Sequence, residues 1–383
     1  MKPRDWFRIA DAVVRCKLMR YGLGARMPYR LIMNITNMCN SRCVTCGIWK
    51  IYADDPKSLR NELRVEEFNK VFRSASDTLW LTLGGGEPFL REDLIDIVSC
   101  ALSSCKSLLA VDLSTNGLLT DRVEKAVLKI LETTSIPHFD VAVSLDGAPH
   151  VHERIRGIKG SWKKSVKTYK YLLEIASQFK NFTTHINYTL SSCNVGKLGD
   201  FLRSLKNEGM RAKPEDISVS IAHLGLAFSN EELNEEIRID NPSDEDETLH
   251  DIELVRCPLS HSLNSTTVIR TVAKRIFLNL AKTRYLRDTK EMVIPCAAGF
   301  ASCFVDPYGN VFPCTIWGEN MGNLREVNYD LRKILCSDKA KAIRRKIEAG
   351  LCPNCWSGCE SWQSIAQNIP WVLRFLYAHG NSQ

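Results

Sequence analysis

The sequence lacks any run of about 18 apolar residues, the least that a membrane-spanning helix needs. A transmembrane helix is therefore not expected. It also lacks the apolar core of a secretory signal, because charge interrupts Met1 to Tyr21 throughout. A disulfide framework is thus the weaker reading of its cysteines, and a cytoplasmic location the expected one. Neither sign of charge dominates. The chain has 51 Lys and Arg against 44 Asp and Glu, for a net charge of +7. That falls short of a nucleic-acid-binding composition, and no such partner is expected. Internal repeats and low-complexity tracts are missing as well, which removes solenoids and arrays.

What the chain has in plenty is cysteine, 15 among 383 residues. In a chain without a secretory signal, that many thiols point to metals or clusters. Cys39, Cys43 and Cys46 follow a strand-like run with the spacing C-x3-C-x2-C. Thiolates are soft ligands that suit iron–sulfur clusters or zinc. A structural zinc ion closes with four ligands. A four-iron cluster on three cysteines keeps one iron open. The spacing alone leaves cluster and zinc knuckle both standing.

Strand-like runs occur at Tyr29–Ile35, Thr78–Leu83, Leu108–Leu113, Phe139–Leu145, Thr184–Leu190 and Ile217–Ile221. Helical patterns lie between them at Val65–Ala75, Arg91–Ser103, Asp121–Glu132, Ser161–Ser177 and Val195–Asn207. This alternation predicts right-handed βαβ units and a parallel sheet, enough for a partial barrel. Asn230–Asp251 is strongly acidic and predicts a solvated linker or exposed helix. Val268–Leu286 predicts a basic helix. From Cys296 onward the chain is turn-rich and holds seven cysteines. The predicted division is an amino-terminal helical segment (1–28), a barrel (29–228), an acidic linker with bridging helices (229–290) and a cysteine-rich domain with its tail (291–383).

Four segments follow the cysteine triad in order. Gly84-Gly85-Gly86-Glu87-Pro88 follows the second strand. Ser114-Thr115-Asn116-Gly117 ends the third, and Ser144-Leu145-Asp146-Gly147 ends the fourth. His152 to Gly157 then carries Arg154 and Arg156. Each alone reads as an ordinary turn. Together they resemble the radical S-adenosylmethionine (SAM) superfamily, in which C-x3-C-x2-C opens a partial (β/α)6 TIM-like barrel. The resemblance implies a [4Fe–4S] cluster on Cys39, Cys43 and Cys46, with SAM on its open iron. It implies SAM contacts from Gly85, Gly86, Glu87, Pro88, Ser114, Asn116 and Ser144, and a carboxylate pairing from Arg156, preferred to Arg154. Reduced ferredoxin or flavodoxin would supply the electron. The family often has an aromatic residue just before the third cysteine; here Thr45 stands there, and Trp49 follows the cysteine by three.

The carboxyl-terminal cysteines resemble the SPASM/twitch extension, with Asp306 to Gly309 as a hairpin turn. The pattern C-x12-G-x4-C followed by C-x2-C implies an auxiliary [4Fe–4S] cluster on Cys296, Cys314, Cys352 and Cys355. A four-cysteine zinc ribbon remains compatible with that spacing. Cys303 and Cys359 are spare candidates. Cys16, Cys100, Cys105, Cys193, Cys257 and Cys336 read as buried hydrophobes.

Relatives with such extensions act on peptides, sulfatases, tetrapyrroles, sugars and lipids. Only 28 residues precede the first strand, which weakens a peptide substrate with its own leader-binding domain. Trp6–Tyr21 and Ile369–Tyr377 are aromatic, apolar and basic. They suit either packing on the barrel or a peripheral membrane contact. His185, Asn187, Thr189 and His223 are candidates to face the substrate. A non-catalytic electron-transfer protein on a degenerate barrel is the competing function.

Overall fold

Along the first strand, Leu31, Met33 and Ile35 alternate with Arg30, Ile32 and Asn34. The first three join the main apolar core. With a side-chain period of two, the others must face the opposite side of the sheet. The same alternation recurs on the next four strands. It buries one face of each beneath helices and leaves a polar face opposite.

The computed structural model describes residues 3–22, 27–230, 242–255, 272, 274–281, 292, 294–372 and 374. The strands are β1 (Arg30–Thr36), β2 (Trp80–Gly85), β3 (Ala110–Thr115), β4 (Phe139–Ser144), β5 (Phe182–Leu190) and β6 (Ile217–Ile221). All pair in parallel with their sequence neighbours. Helix α1 (Pro3–Arg20) precedes them. Between them run α2 (Ile48–Asp54), α3 (Val65–Ser74), α4 (Leu94–Ser104), α5 (Thr120–Thr133), α6 (Pro149–Arg156), α7 (Ser161–Gln178) and α8 (Leu198–Asn207). Each of the six expected strands appears with its ends moved by two residues or fewer. Helices α2 and α6 were not expected from the apolar pattern; both are short, and α6 has only three buried residues.

The acidic stretch forms α9 (Pro242–Leu254) over its later part. Residues 274–281 are helical, here α10, within the expected basic helix. The rest of both stretches lies outside the described residues.

The cysteine-rich region does not hang from the barrel as a separate body. Its strands β7 (Ser302–Val305), β8 (Asn310–Phe312) and β9 (Gly322–Asn323) extend the same sheet. The order is β6-β5-β4-β3-β2-β1-β7-β8-β9. β7 lies parallel to β1, with Ser302 opposite Arg30 and Val305 opposite Met33. β7 and β8 form the expected hairpin. Asp306 holds its turn by accepting from the backbone N–H groups of Tyr308 (2.9 Å) and Asn310 (2.8 Å). Helices α11 (Leu331–Leu335), α12 (Asp338–Glu348) and α13 (Gly358–Gln367) complete the region.

Arg30 joins the two parts. Its guanidinium donates to Thr82 Oγ1 on β2 and, on α13, to the Cys359 carbonyl (2.9 Å) and Gln363 Oε1 (3.2 Å). Gly358, at the start of α13, comes close to Ser220 on β6. So α13 runs across the gap that six strands leave open.

Candidate active site

The loop from Asn37 to Gly47 carries Cys39, Cys43 and Cys46, and its backbone is sewn to three neighbours. The first is the Gly84–Pro88 segment. Gly86 N–H donates to the Thr36 carbonyl and Glu87 N–H to the Met38 carbonyl, each at 2.8 Å. A Cβ on Gly86 would meet the Met38 oxygen at 2.2 Å; one on Gly85, whose φ is +120°, would meet the Thr36 oxygen at 2.2 Å. These glycines are required by the approach of the cysteine loop itself.

The second neighbour is α6. Arg42 N–H donates to the Arg156 carbonyl (3.0 Å) and Val44 N–H to that of Ile155 (2.9 Å). Ser41 Oγ donates to the Arg156 carbonyl at 3.0 Å. The third is the turn at 225–230. There Gly47 N–H donates to the Phe228 carbonyl (2.8 Å), and Asn230 Nδ2 to that of Thr45 (3.0 Å).

Within this frame the three thiols lie near enough for their charges to act on one another. Burial pushes the Cys39 thiol up to about 11, and neighbouring Cys43 adds to it. Burial pushes Cys46 to about 12, with contributions from Cys43 and Cys39. Thiols so raised must lose protons before they bind a metal, so loading releases protons. Trp49 Nε1 donates to the Cys43 carbonyl at 3.3 Å, which puts this indole at the base of the loop.

Arg156 lies against the triad. Its Nη1 is 3.7 Å from Cys43 Sγ, and its Nη2 is 2.5 Å from Asp146 Oδ2. Burial works against the charged guanidinium, but the Asp146 carboxylate and the Cys43 sulfur outweigh it and raise its pKa. Asp146 is itself fixed, accepting from Thr189 N–H at 2.9 Å. The Arg156 Nε is buried without a partner. Arg154 points elsewhere, to the Cys193 carbonyl. Sequence reasoning preferred Arg156 but missed Asp146, which read only as the first half of an Asp-Gly turn.

Glu87 is completely buried. It accepts from Thr115 Oγ1 (2.9 Å) and Asn116 N–H (2.7 Å), tying the β2 loop to the end of β3. Burial raises its carboxyl to about 7 in spite of these donors. Pro88 is buried beside it. Asn116 Nδ2 donates to Asn40 Oδ1 (2.7 Å) and lies 4.0 Å from Cys39 Sγ. Ser114 and Ser144 sit on the polar face of the sheet, two residues beyond Asp112 and Ala142.

That polar face is charged below the triad. Asp112 accepts from Thr82 Oγ1 and Trp80 Nε1. His185 Nδ1 lies 3.0 Å from Asp140 Oδ2, and Asn187 and Thr189 follow on the same face of β5.

The second set of cysteines gathers at the other end of β7. Cys296, Cys314, Cys352 and Cys355 line one small enclosed cavity. Burial drives Cys296 to about 12, with Glu360 and Cys352 adding to it. It drives Cys314 well up, with Glu360, Cys355 and Cys296 adding. Neither spare candidate joins them. Cys303 is fully buried on β7 within the main apolar core, where burial and the Glu360 carboxylate raise its pKa. Cys359 packs instead with Ile32, Phe304 and Phe312 on the sheet's inner face.

Residues 33–205 match the family model of the radical SAM superfamily. Residues 296–357 match SPASM, an iron–sulfur cluster-binding domain. The chain carries a radical SAM domain followed by a SPASM domain. Among curated relatives, the sporulation killing factor maturation protein SkfB of Bacillus subtilis is 29% identical over 189 residues, 49% of this chain and 42% of that one. The pre-heme d1 synthase of Dinoroseobacter shibae is 24% identical over 313 residues, 78% of this chain and 71% of that one. The match to SkfB thus spans less than half of that protein. Among solved structures, Streptococcus suis SuiB bound to S-adenosylmethionine has a TM-score of 0.56 at 16% identity, covering 86% of this chain and 70% of that one. That likeness shows the fold, a radical SAM barrel with its carboxyl-terminal extension.

As a radical SAM protein with a SPASM domain, the chain takes a SAM-binding [4Fe–4S] cluster, auxiliary cluster chemistry and SAM itself. The residues present fit these groups. Both sets of donors are thiols, soft enough for iron–sulfur cores. A zinc ion would draw its sulfurs to about 3.8 Å from each other, given Zn–S bonds of about 2.3 Å. Among the described residues no three His, Cys, Asp or Glu side chains gather as a single ion requires. The orphaned Arg156 Nε offers a donor that a carboxylate ligand would satisfy.

Proposed function

We propose that this protein is a radical SAM maturase acting on a peptide or protein. In this reading Cys39, Cys43 and Cys46 hold the SAM-binding cluster. Cys296, Cys314, Cys352 and Cys355 hold an auxiliary [4Fe–4S] cluster. The observation that carries the reading is the triad of neighbouring buried thiols on one loop, with Arg156 against Cys43. When bound, the cluster supplies the electron that cleaves SAM to methionine and a 5′-deoxyadenosyl radical, which takes hydrogen from the substrate.

The chain's own residues orient and shield. Arg156, steadied by Asp146, presents a guanidinium edge to the SAM carboxylate. The carbonyls of Gly85 and Gly86 and the side chains of Ser114, Asn116 and Ser144 lie at successive strand ends and would contact the rest of SAM. Glu87 and Pro88 hold that rim in shape. Trp49 covers the cysteine loop in place of the family's usual aromatic. Reduced ferredoxin or flavodoxin is the electron donor in this reading. The location is cytoplasmic, with peripheral membrane contact.

Two points support a peptide or protein over a lipid. The sheet's inner face below the triad is polar, with Asp112, Asp140, His185 and Asn187 on it. SkfB is a maturation protein, and SuiB has also been solved bound to its precursor peptide SuiA. The test is anaerobic reconstitution followed by SAM and a reductant. About eight irons per chain and formation of 5′-deoxyadenosine are expected. Zinc in both sites, or no SAM cleavage, would sink the reading. Deuterium transfer into 5′-deoxyadenosine from labelled peptide fractions, and not from lipid fractions, identifies the substrate class.

A further inference from the structure

Helix α1 packs one face on the SPASM region. Ala12 and Cys16 are buried, and Cys16 clusters with Ala297 and Ala301. Gln367 Nε2, at the end of α13, donates to the Val13 carbonyl at 3.1 Å. Arg20 reaches the Cys296 carbonyl. The helix is therefore firmly seated, and its outer face is fixed by that seating.

That outer face is apolar. Residues of an α-helix turn by about 100° each. Phe7, Val14 and Leu18 fall on one stripe, opposite Ala12 and Cys16, and Tyr21 follows in the turn past the helix end. Phe7 is 77% exposed, Val14 55% and Tyr21 72%. A surface helix of a globular protein normally carries polar residues there. Trp6 borders the stripe and is also exposed. Exposed Lys17 and Arg4 flank it on opposite sides. The whole helix carries five cations (Arg4, Arg8, Arg15, Lys17, Arg20) against two acids (Asp5, Asp11). Just past α13, the segment beside α1 adds exposed Ile369, Trp371 and Arg374.

We propose that this face of α1, with the segment after α13, docks the protein on an anionic phospholipid surface. Three features choose a bilayer over a protein groove. The stripe runs along the outward side of a single helix, so it meets a plane. Its aromatic residues are Trp, Tyr and Phe, which suit the headgroup boundary. Its cations flank the apolar stripe and complement acidic headgroups. The inference gives the peripheral contact of the preceding reading its surface. The radical chemistry does not depend on it.

The test uses the reconstituted 383-residue chain. Co-sedimentation is measured with phosphatidylcholine vesicles, with and without phosphatidylglycerol, at low and high salt. Binding to the anionic vesicles alone, weakened by salt, is expected. Phe7→Glu with Val14→Glu should weaken it by roughly tenfold or more, and Lys17→Glu by several-fold. Both apolar side chains point outward, so melting temperature and iron content stay at wild type. Phe7→Ser with Val14→Ser repeats the test without added charge. Equal binding to neutral vesicles, no binding, or binding that survives both double variants overturns the proposal. So does a concentration-dependent dimer that the variants abolish, which would give the face to a second copy. In none of these cases does 5′-deoxyadenosine formation change, so a failure here is distinct from a failure of the proposed chemistry.

Discussion

Gly84 and Gly86, two residues apart in the Gly84–Pro88 segment, make a sharp comparison. At Gly86 an added Cβ would lie 2.2 Å from the Met38 oxygen and 2.6 Å from its carbonyl carbon. Ordinary van der Waals contact begins near 3.4 Å, so the cysteine loop must retreat by about 1.2 Å. The obstacle is backbone, and Glu87 N–H holds that same carbonyl. At Gly84 the nearest atom is Asn34 Oδ1 at 3.5 Å, already a normal contact. Gly86→Ala should therefore cost about 1–3 kcal/mol, as overpacking does. It should also misplace Cys39, one residue past Met38. Gly84→Ala should cost well under 1 kcal/mol. The assay is anaerobic reconstitution with iron counting, beside a thermal melt. Gly86→Ala should fall to about four irons, those of the auxiliary site, and lose SAM cleavage. Gly84→Ala should keep about eight. If Gly86→Ala held its full iron, or both variants lost it equally, close approach to the loop would not explain these glycines.

Other perturbations probe the rest of the site. Asp146→Asn leaves Arg156 without its buried carboxylate; a loss of about 3–5 kcal/mol is expected by denaturant titration, with weaker SAM binding by calorimetry. Glu87 has its pKa raised by burial from 4.5 to about 7, so its stability contribution is full below about pH 4.5 and fades as pH rises through about 7. Stability should drop by up to about 3 kcal/mol across that window, and Glu87→Gln should flatten the curve. Cys355→Ala should remove about four irons, whereas Cys303→Ala and Cys359→Ala should remove none. An iron count that falls for Cys359→Ala would place that thiol among the ligands.

The barrel was legible because strands buried beneath helices read as apolar runs, and their ends carry the chemistry. The triad was legible from its spacing, and the four gathering cysteines from the resemblance to the SPASM extension. What stayed hidden depends on contacts distant in sequence. No local pattern in Arg30–Thr36 says that Ser302–Val305 will lie beside it. Asp146 was read as turn chemistry, because its partner Arg156 lies on a helix too short for the apolar pattern to show. The glycines were read as a grip on SAM; hidden from that reading was how closely they pass the carbonyls of Thr36 and Met38. For Cys359, spacing left its role open, and the fold places it against Ile32 and Phe304.

The pairing of β1 with β7 bears on how the chain is made. On the ribosome, about 270 residues separate the last residues of β1 from the first of β7. At roughly 5–20 residues per second, β1 waits on the order of 15–50 s for its second neighbour. Throughout that interval one edge of an apolar strand, with Met33 and Ile35 on its buried face, offers unpaired backbone groups to any other chain. Truncation before Ser302 would make the wait permanent. The nascent chain should therefore be at its most aggregation-prone late in synthesis, after six strands are complete and before the last cysteines emerge.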